Sequence, residues 1–312
     1  MASIREEEDR ILKELSSLGN PPYPDNVDGK YRSYPNHHPS KELIVSDGLH
    51  YLDKLLYDED GRFWHRDRSE ERDQDEERDR RNEEQWEKAC KKKRGLVVLT
   101  KDLNLGKHDP KDTAKLIWDI REDHGRDNNN ENDPTFSTAP FYENLRRWIY
   151  GLMTMSDSGE MPEYPTNEEA QKHFEEEPWV RMNLKKEAGK SSITPTILRR
   201  HIKESKTYLL KQLKLYKGAS IYLDCASREG RKLLEELYDD IVPFRSDKDP
   251  WIYYSEKSSF IIINSYHPSY SHLWGESKRK EYYSDMREAV QAFFEDEEHS
   301  NFFKDEKASE DV

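Results

Sequence analysis

The run Ser259-Phe260-Ile261-Ile262-Ile263-Asn264-Ser265-Tyr266-His267-Pro268-Ser269 limits the fold more than any other stretch of this chain. Phe260 to Ile263 sets four β-branched or aromatic residues side by side, in a chain whose mean hydropathy is −1.17. Such a run cannot be a solvated face. It reads as a strand covered on both sides, as in the middle of a parallel sheet. Pro268 has no N–H to give to a ladder and holds the chain in a turn. His267 and Ser269 therefore stand at the carboxyl end of a central strand, where open α/β sheets hold their ligands.

The rest of the chain supplies the partners such a strand needs. Gly95-Leu96-Val97-Val98-Leu99-Thr100, Trp179-Val180-Arg181-Met182-Asn183-Leu184 and Ala219-Ser220-Ile221-Tyr222-Leu223-Asp224-Cys225 are three more buried-strand patterns, and Trp251 to Tyr254 reads as an additional one. Helical periodicity falls between and after them: 112–120, Pro140 to Met155, a long helix opened by Thr194-Pro195, Arg228 to Leu237 and Glu276 to Phe294. Strands alternating with helices predict an α/β fold, with a central parallel sheet of about four strands flanked by helices on both faces.

Only 33% of the 312 residues are hydrophobic and 37% are charged, which favours one packed core with polar extensions over two cores. Residues 95–294 are the expected α/β domain, and 295–312 an acidic tail. Residues 1–94 form a polar extension with a first helix over Ile4 to Leu18 and a Leu-spaced helix over Ser40 to Tyr57. A mixed-charge run at 65–93 reads as an exposed helix or a disordered insert. Two cysteines, Cys90 and Cys225, cannot build a disulfide framework, so a reducing, intracellular setting (cytoplasmic or nuclear) is expected. No apolar stretch has membrane-spanning length.

The net charge of −14 argues against an indiscriminate nucleic-acid coat. The charge is uneven, however: between Arg181 and Lys217 ten lysines and arginines beyond Arg181 itself meet only Glu187 and Glu204. This segment is the expected local face toward an anionic ligand. His37-His38 has no second spaced ligand pair, so no metal is expected. Gly189-Lys190-Ser191-Ser192 lacks the upstream glycine of a triphosphate-binding loop. No cofactor is implied.

Four strand ends converge on one edge: Lys101 to Asn104, Asn183 to Lys186, Asp224-Cys225, and Asn264 to Ser269. Asp102 is suited to orienting or deprotonating water. Asn183 offers an acceptor and two donors to an amide-like edge. His267 is suited to stabilising negative charge on a leaving group. Leu96–Asn104, Val180–Lys186 and Ile261–Ser269, in that order, resemble the three strand-end motifs of the uracil-DNA glycosylase superfamily, over roughly Gly95 to Gly275.

The resemblance implies that Asp102 positions the water, Asn183 reads the base, His267 stabilises the departing base and Ser269 contacts a phosphate. Lys185 and Asn104 join the binding residues. The implied reaction is hydrolysis of an N-glycosidic bond of uracil or another altered base flipped out of DNA, with nucleic acid held through 185–217. Trp118 and Phe136 are both available as the aromatic that stacks on the base. The alternative is a non-catalytic nucleic-acid or nucleotide-binding protein on the same fold.

Overall fold

Side chains of a strand alternate between its two faces, so a strand buried throughout needs a cover on each. A computed structural model of the chain, describing residues 3–17, 47–50, 72–101, 126–127, 135–186, 193–245 and 250–303, supplies both covers. The described helices are α1 (Ile4–Ser17), α2 (Arg72–Lys91), α3 (Pro140–Thr154), α4 (Asn167–Glu176), α5 (Pro195–Leu215), α6 (Glu229–Leu234) and α7 (Glu276–Phe294). The strands are β1 (Gly48–Leu49), β2 (Leu96–Thr100), β3 (Arg126–Asp127), β4 (Thr135–Phe136), β5 (Trp179–Asn183), β6 (Ile221–Asp224), β7 (Val242–Pro243), β8 (Ile252–Ser255) and β9 (Phe260–Asn264).

Seven strands form one mixed sheet in the order β1-β5-β2-β6-β9-β8-β7. The four central strands, β5, β2, β6 and β9, run parallel. Short antiparallel strands extend them, β1 on one side and β8 then β7 on the other. The expectation of about four strands therefore falls short of the sheet. Of the three added strands, β8 corresponds to the additional strand read at Trp251 to Tyr254, whereas β1 and β7 carry two residues each, too short to leave a periodic signal in the sequence. β3 and β4 form a separate antiparallel pair.

Each central strand divides its side chains between two cores. Leu96, Val98, Ile221, Leu223, Ile261 and Ile263 face α3, α4 and α7, through Leu145, Trp148, Phe174, Met286 and Phe293. Val97, Leu99, Val180, Met182, Tyr222 and Ile262 face α5, α6 and α2, through Leu198, Leu213, Leu233 and Trp86. Burying each such side chain is worth roughly 1.5–3 kcal/mol, which is why the Phe260–Ile263 run sits in the sheet interior. Helix starts follow local chemistry: Pro140 opens α3, Thr166 and Glu169 close a capping box on α4, and Thr194 caps α5 ahead of Pro195.

Segments before Gly95 also enter this core. Ile11, Leu12, Leu49 and Trp86 are buried, and β1 pairs with β5. Of the expected helix over Ser40 to Tyr57 only 47–50 are described, and there Gly48–Leu49 form β1 instead. Leu49 meets the register of Val180 as a strand residue, since pairing along β5 satisfies the edge backbone better than an isolated helical turn. Past α7 the chain still packs inward, with His299 and Phe303 buried. Among the described residues no helix is long and apolar enough to cross a membrane.

Candidate functional site

The order β5-β2-β6-β9 dictates where a crevice opens. The chain leaves β2 toward β5 and leaves β6 toward β9, on the opposite side. The carboxyl ends of the adjacent strands β2 and β6 therefore flank a topological switch point. Lys101 follows β2 there, and Cys225 to Arg228 follow β6. Ser227 and Arg228 hold left-handed φ angles of 58° and 70°. That turn swings the start of α6 under Asp224, whose carboxylate accepts the N–H groups of Ala226 and Arg231, both at 2.8 Å. Asp224 is therefore a helix cap and not a free acid, and burial raises its pKa against those hydrogen bonds.

His267 stands at the end of β9. Its Nδ1 lies 2.8 Å from Ser269 Oγ, and the Ser269 backbone N–H also points at Nδ1, at 3.4 Å. Nδ1 is thus the acceptor of the ring, which assigns the proton to Nε2. Nε2 is buried and finds no hydrogen-bond partner among the described residues. Burial, with the positive charges of Lys101 and Arg181, lowers the His267 pKa to about 3. The imidazole is neutral at physiological pH, and it presents an N–H donor in a cationic surrounding.

The His267 loop is fixed from several directions. Asn144 of α3 donates to the Pro268 carbonyl at 2.6 Å. Tyr282 of α7 accepts the Tyr266 N–H at 3.0 Å and bonds Ser265 Oγ at 3.0 Å. Phe141, at the start of α3, lies 5.7 Å from the His267 ring, and the Arg181 guanidinium sits 4.5 Å over the Phe141 ring. Arg181, Phe141 and His267 thus form a continuous line of contact from β5 to the end of β9.

Asn183 is fully buried at the end of β5. Its Oδ1 accepts the Thr100 hydroxyl at 2.5 Å. Its backbone N–H donates to Asp47 Oδ2 at 2.6 Å. Its Nδ2 finds no hydrogen-bond partner among the described residues. Asn183 and His267 thus share the carboxyl edge with both β2 and β6 between them, roughly 14 Å apart at the strand axes. Asp102 and Asn104 lie outside the described residues, as do Trp118 and the side chain of Phe136.

Lys185, Ser269 and the basic segment are placed as follows. Lys185 is buried, its N–H donates to the Lys101 carbonyl at 2.8 Å, and its charge helps depress His201, which burial lowers to about 3. Ser269 Oγ is engaged by His267. Along α5, Arg199 pairs with Glu229, Arg200 with Glu204, Lys206 with Glu236 and Lys211 with Glu14. Lys186 is buried against Asp47, at 2.7 and 2.8 Å, and Gln212. Much of the charge that made this segment look like an anion-binding face is thus compensated by carboxylates distant in sequence.

Reading the sequence missed Arg181, Phe141, Tyr282 and Asp47. Arg181 carries the one visible signal, a charge inside an otherwise apolar strand. Cys225, beside Ser265 at the switch point, is fully buried and its thiol pKa is raised well above the ordinary value, first by burial and then by Asp224. It is not a nucleophile. Among the described residues, no three His, Cys, Asp or Glu side chains are grouped to hold a metal ion. No known protein family, curated protein or solved structure matches the chain.

Proposed function

We propose that this protein hydrolyses the N-glycosidic bond of uracil or another altered base in DNA. The observation that carries the reading is the half-buried, neutral His267, whose buried Nε2–H has no partner among the described residues and lies in a surrounding made positive by Lys101 and Arg181. When the bond between the sugar and the base breaks, its electron pair leaves with the base, and negative charge collects on the base's ring oxygens and nitrogens. A neutral donor already held in place stabilises that charge without itself transferring a proton. A histidine protonated in the resting state would be perturbed by the same two cations.

The other groups take complementary duties. Asn183 Nδ2 is a donor for the base edge, held by Thr100 and Asp47. Phe141, between Arg181 and His267, is the aromatic best placed to stack on the base. Asp102, two positions past the end of β2 in the sequence, receives the proton of the water that attacks the sugar carbon. Water oxygen bonds that carbon, the glycosidic pair departs with the base, and the proton returns from Asp102 to the anionic base, so charge and atoms balance.

The test is a panel of oligonucleotides, each with one altered base, incubated with the full chain and analysed by mass spectrometry for free base. Release of one base class, abolished by Asp102→Asn and slowed by Asn183→Ala, is the expected result. Intact oligonucleotides across the panel would leave a binding role in its place.

A further inference from the structure

Helix α1 carries a carboxylate where its own pattern calls for an apolar side chain. Ile4, Glu8, Ile11 and Leu15 recur at helical spacing and so share one face. Glu8, in the middle of that stripe, is fully buried. A buried charge at such a position adds less stability than an apolar residue, but it fixes where a docking helix sits. Glu8 has a seat shaped for it. The Tyr216 hydroxyl donates to Glu8 Oε1, and Gln212 Nε2 donates to the same oxygen at 3.3 Å. Gly48 completes the seat: its φ of 146° suits glycine, and a Cβ there would collide with the Glu8 carboxylate.

Both partners of Glu8 reach on toward the crevice. The Tyr216 hydroxyl accepts the Leu49 N–H at 3.0 Å. Gln212 Nε2 also donates to the Asp47 carbonyl at 3.1 Å and to Asp47 Oδ1 at 3.0 Å. Asp47 in turn accepts the Asn183 N–H at 2.6 Å. Buried hydrogen bonds thus run without a break from α1 through Gln212 and Asp47 to Asn183. The rest of the α1 interface is thin. Its buried apolar side chains are Ile11 and Leu12, and neither belongs to the two apolar clusters that cover the sheet. Burying two such groups does not offset the ordering of 14 residues, so docking depends on the polar contacts. A small cavity even remains between α1 and α2, bounded by Arg5, Glu8, Asp79, Asn82 and Glu83. α1 is therefore the element that can leave without opening either sheet face, and Glu8 makes its leaving felt at β5.

We propose that α1 is a regulatory strap, keyed by Glu8: docked, it holds Asp47 against the end of β5 and keeps Asn183 in place, and released, it lets that end of the crevice loosen. Occupation of the crevice and docking of α1 then reinforce each other, since coupling between two sites is reciprocal. The inference concerns the order of Asn183 and stands apart from the reaction proposed above.

The experiment is hydrogen–deuterium exchange of the full chain, read by mass spectrometry on peptides covering α1, β5 and β9. Leu12→Asp releases α1 without altering any member of the hydrogen-bond chain. Expected are faster exchange in α1 and, with it, exchange in β5 faster by at least roughly fivefold, while β9 is unchanged. Glu8→Gln keeps the size of the side chain and removes its charge, and should speed α1 and β5 together by a smaller factor. Reciprocally, Asp47→Asn should speed exchange in α1. A released α1 beside an unchanged β5 would overturn the coupling. Acceleration of β9 along with β5 would overturn it too, because α1 would then belong to the global core. An α1 that stays protected in Leu12→Asp would refute a releasable strap.

Discussion

Asp47 is the residue through which the amino-terminal segments reach the site, and its removal has a calculable effect. Its carboxylate is fully buried and accepts from the Asn183 N–H at 2.6 Å, from Lys186 Nζ at 2.7 and 2.8 Å, and from Gln212 Nε2 at 3.0 Å. Asp47→Ala leaves the Lys186 ammonium, itself only 3% exposed, without its counter-charge. Breaking one partner of a buried pair costs about 3–5 kcal/mol. Burial already lowers the Lys186 pKa against the pull of Asp47, so the stranded lysine deprotonates more readily, which caps the loss. We therefore expect a cost of about 4 kcal/mol in urea unfolding and, at 2–4 °C per kcal/mol for a domain of this size, a melting point lower by about 8–16 °C. Lys186→Met removes the stranded charge, so the double variant Asp47→Ala/Lys186→Met should be markedly more stable than the sum of the two single losses predicts. Strictly additive losses, or a cost below about 1 kcal/mol for Asp47→Ala, would refute a buried charge clamp at the end of β5.

Four further outcomes follow from the hydrogen bonds and titrations around the crevice. His267 and His201 both titrate near 3 in the folded chain and near 6.5 unfolded. The unfolded chain thus binds more protons between those values, and stability measured by urea titration should fall as pH drops from 6.5 toward 3, with no contribution from either residue above about 7. For the same reason base release should show no inflection near 6.5 arising from His267; a His267-dependent break there would contradict a neutral donor. Tyr282→Phe removes the hydroxyl that bonds both Ser265 and the Tyr266 N–H, and should cost about 1–3 kcal/mol by thermal unfolding. Asp224→Ala strips two backbone N–H groups of their acceptor at the start of α6. It should destabilise by about 1–2 kcal/mol, seen as faster amide exchange at Ala226 and Arg231.

How legible this protein is from its sequence depends on how local the signal is. The central strands were readable because burial on both faces forces unbroken apolar runs, as in Leu96 to Leu99 and Phe260 to Ile263. α3, α5 and α7 were readable from periodicity and from Pro140, Thr194 and Pro195. β1, β7 and β8 were hidden or only half seen, because two to four residues at a sheet edge draw their stability from pairing and not from pattern. At the site, His267 announced itself through the strand before it and Pro268 after it. Asp47 did not, since its partners lie more than 130 positions away. The basic segment misled for a related reason: its carboxylates Asp47, Glu14, Glu229 and Glu236 come from other parts of the chain. Charge summed along a sequence does not report charge left over after folding.

The central claim is that His267 stabilises a departing base, and single-turnover base release with excess enzyme tests it most directly. With a uracil-containing single strand, or whichever altered base the panel identifies, the account predicts release by the unaltered chain. It predicts a rate lower by about 10²–10³-fold for His267→Ala, at undiminished oligonucleotide binding. No release of any altered base, or a His267→Ala rate equal to that of the parent, would contradict it.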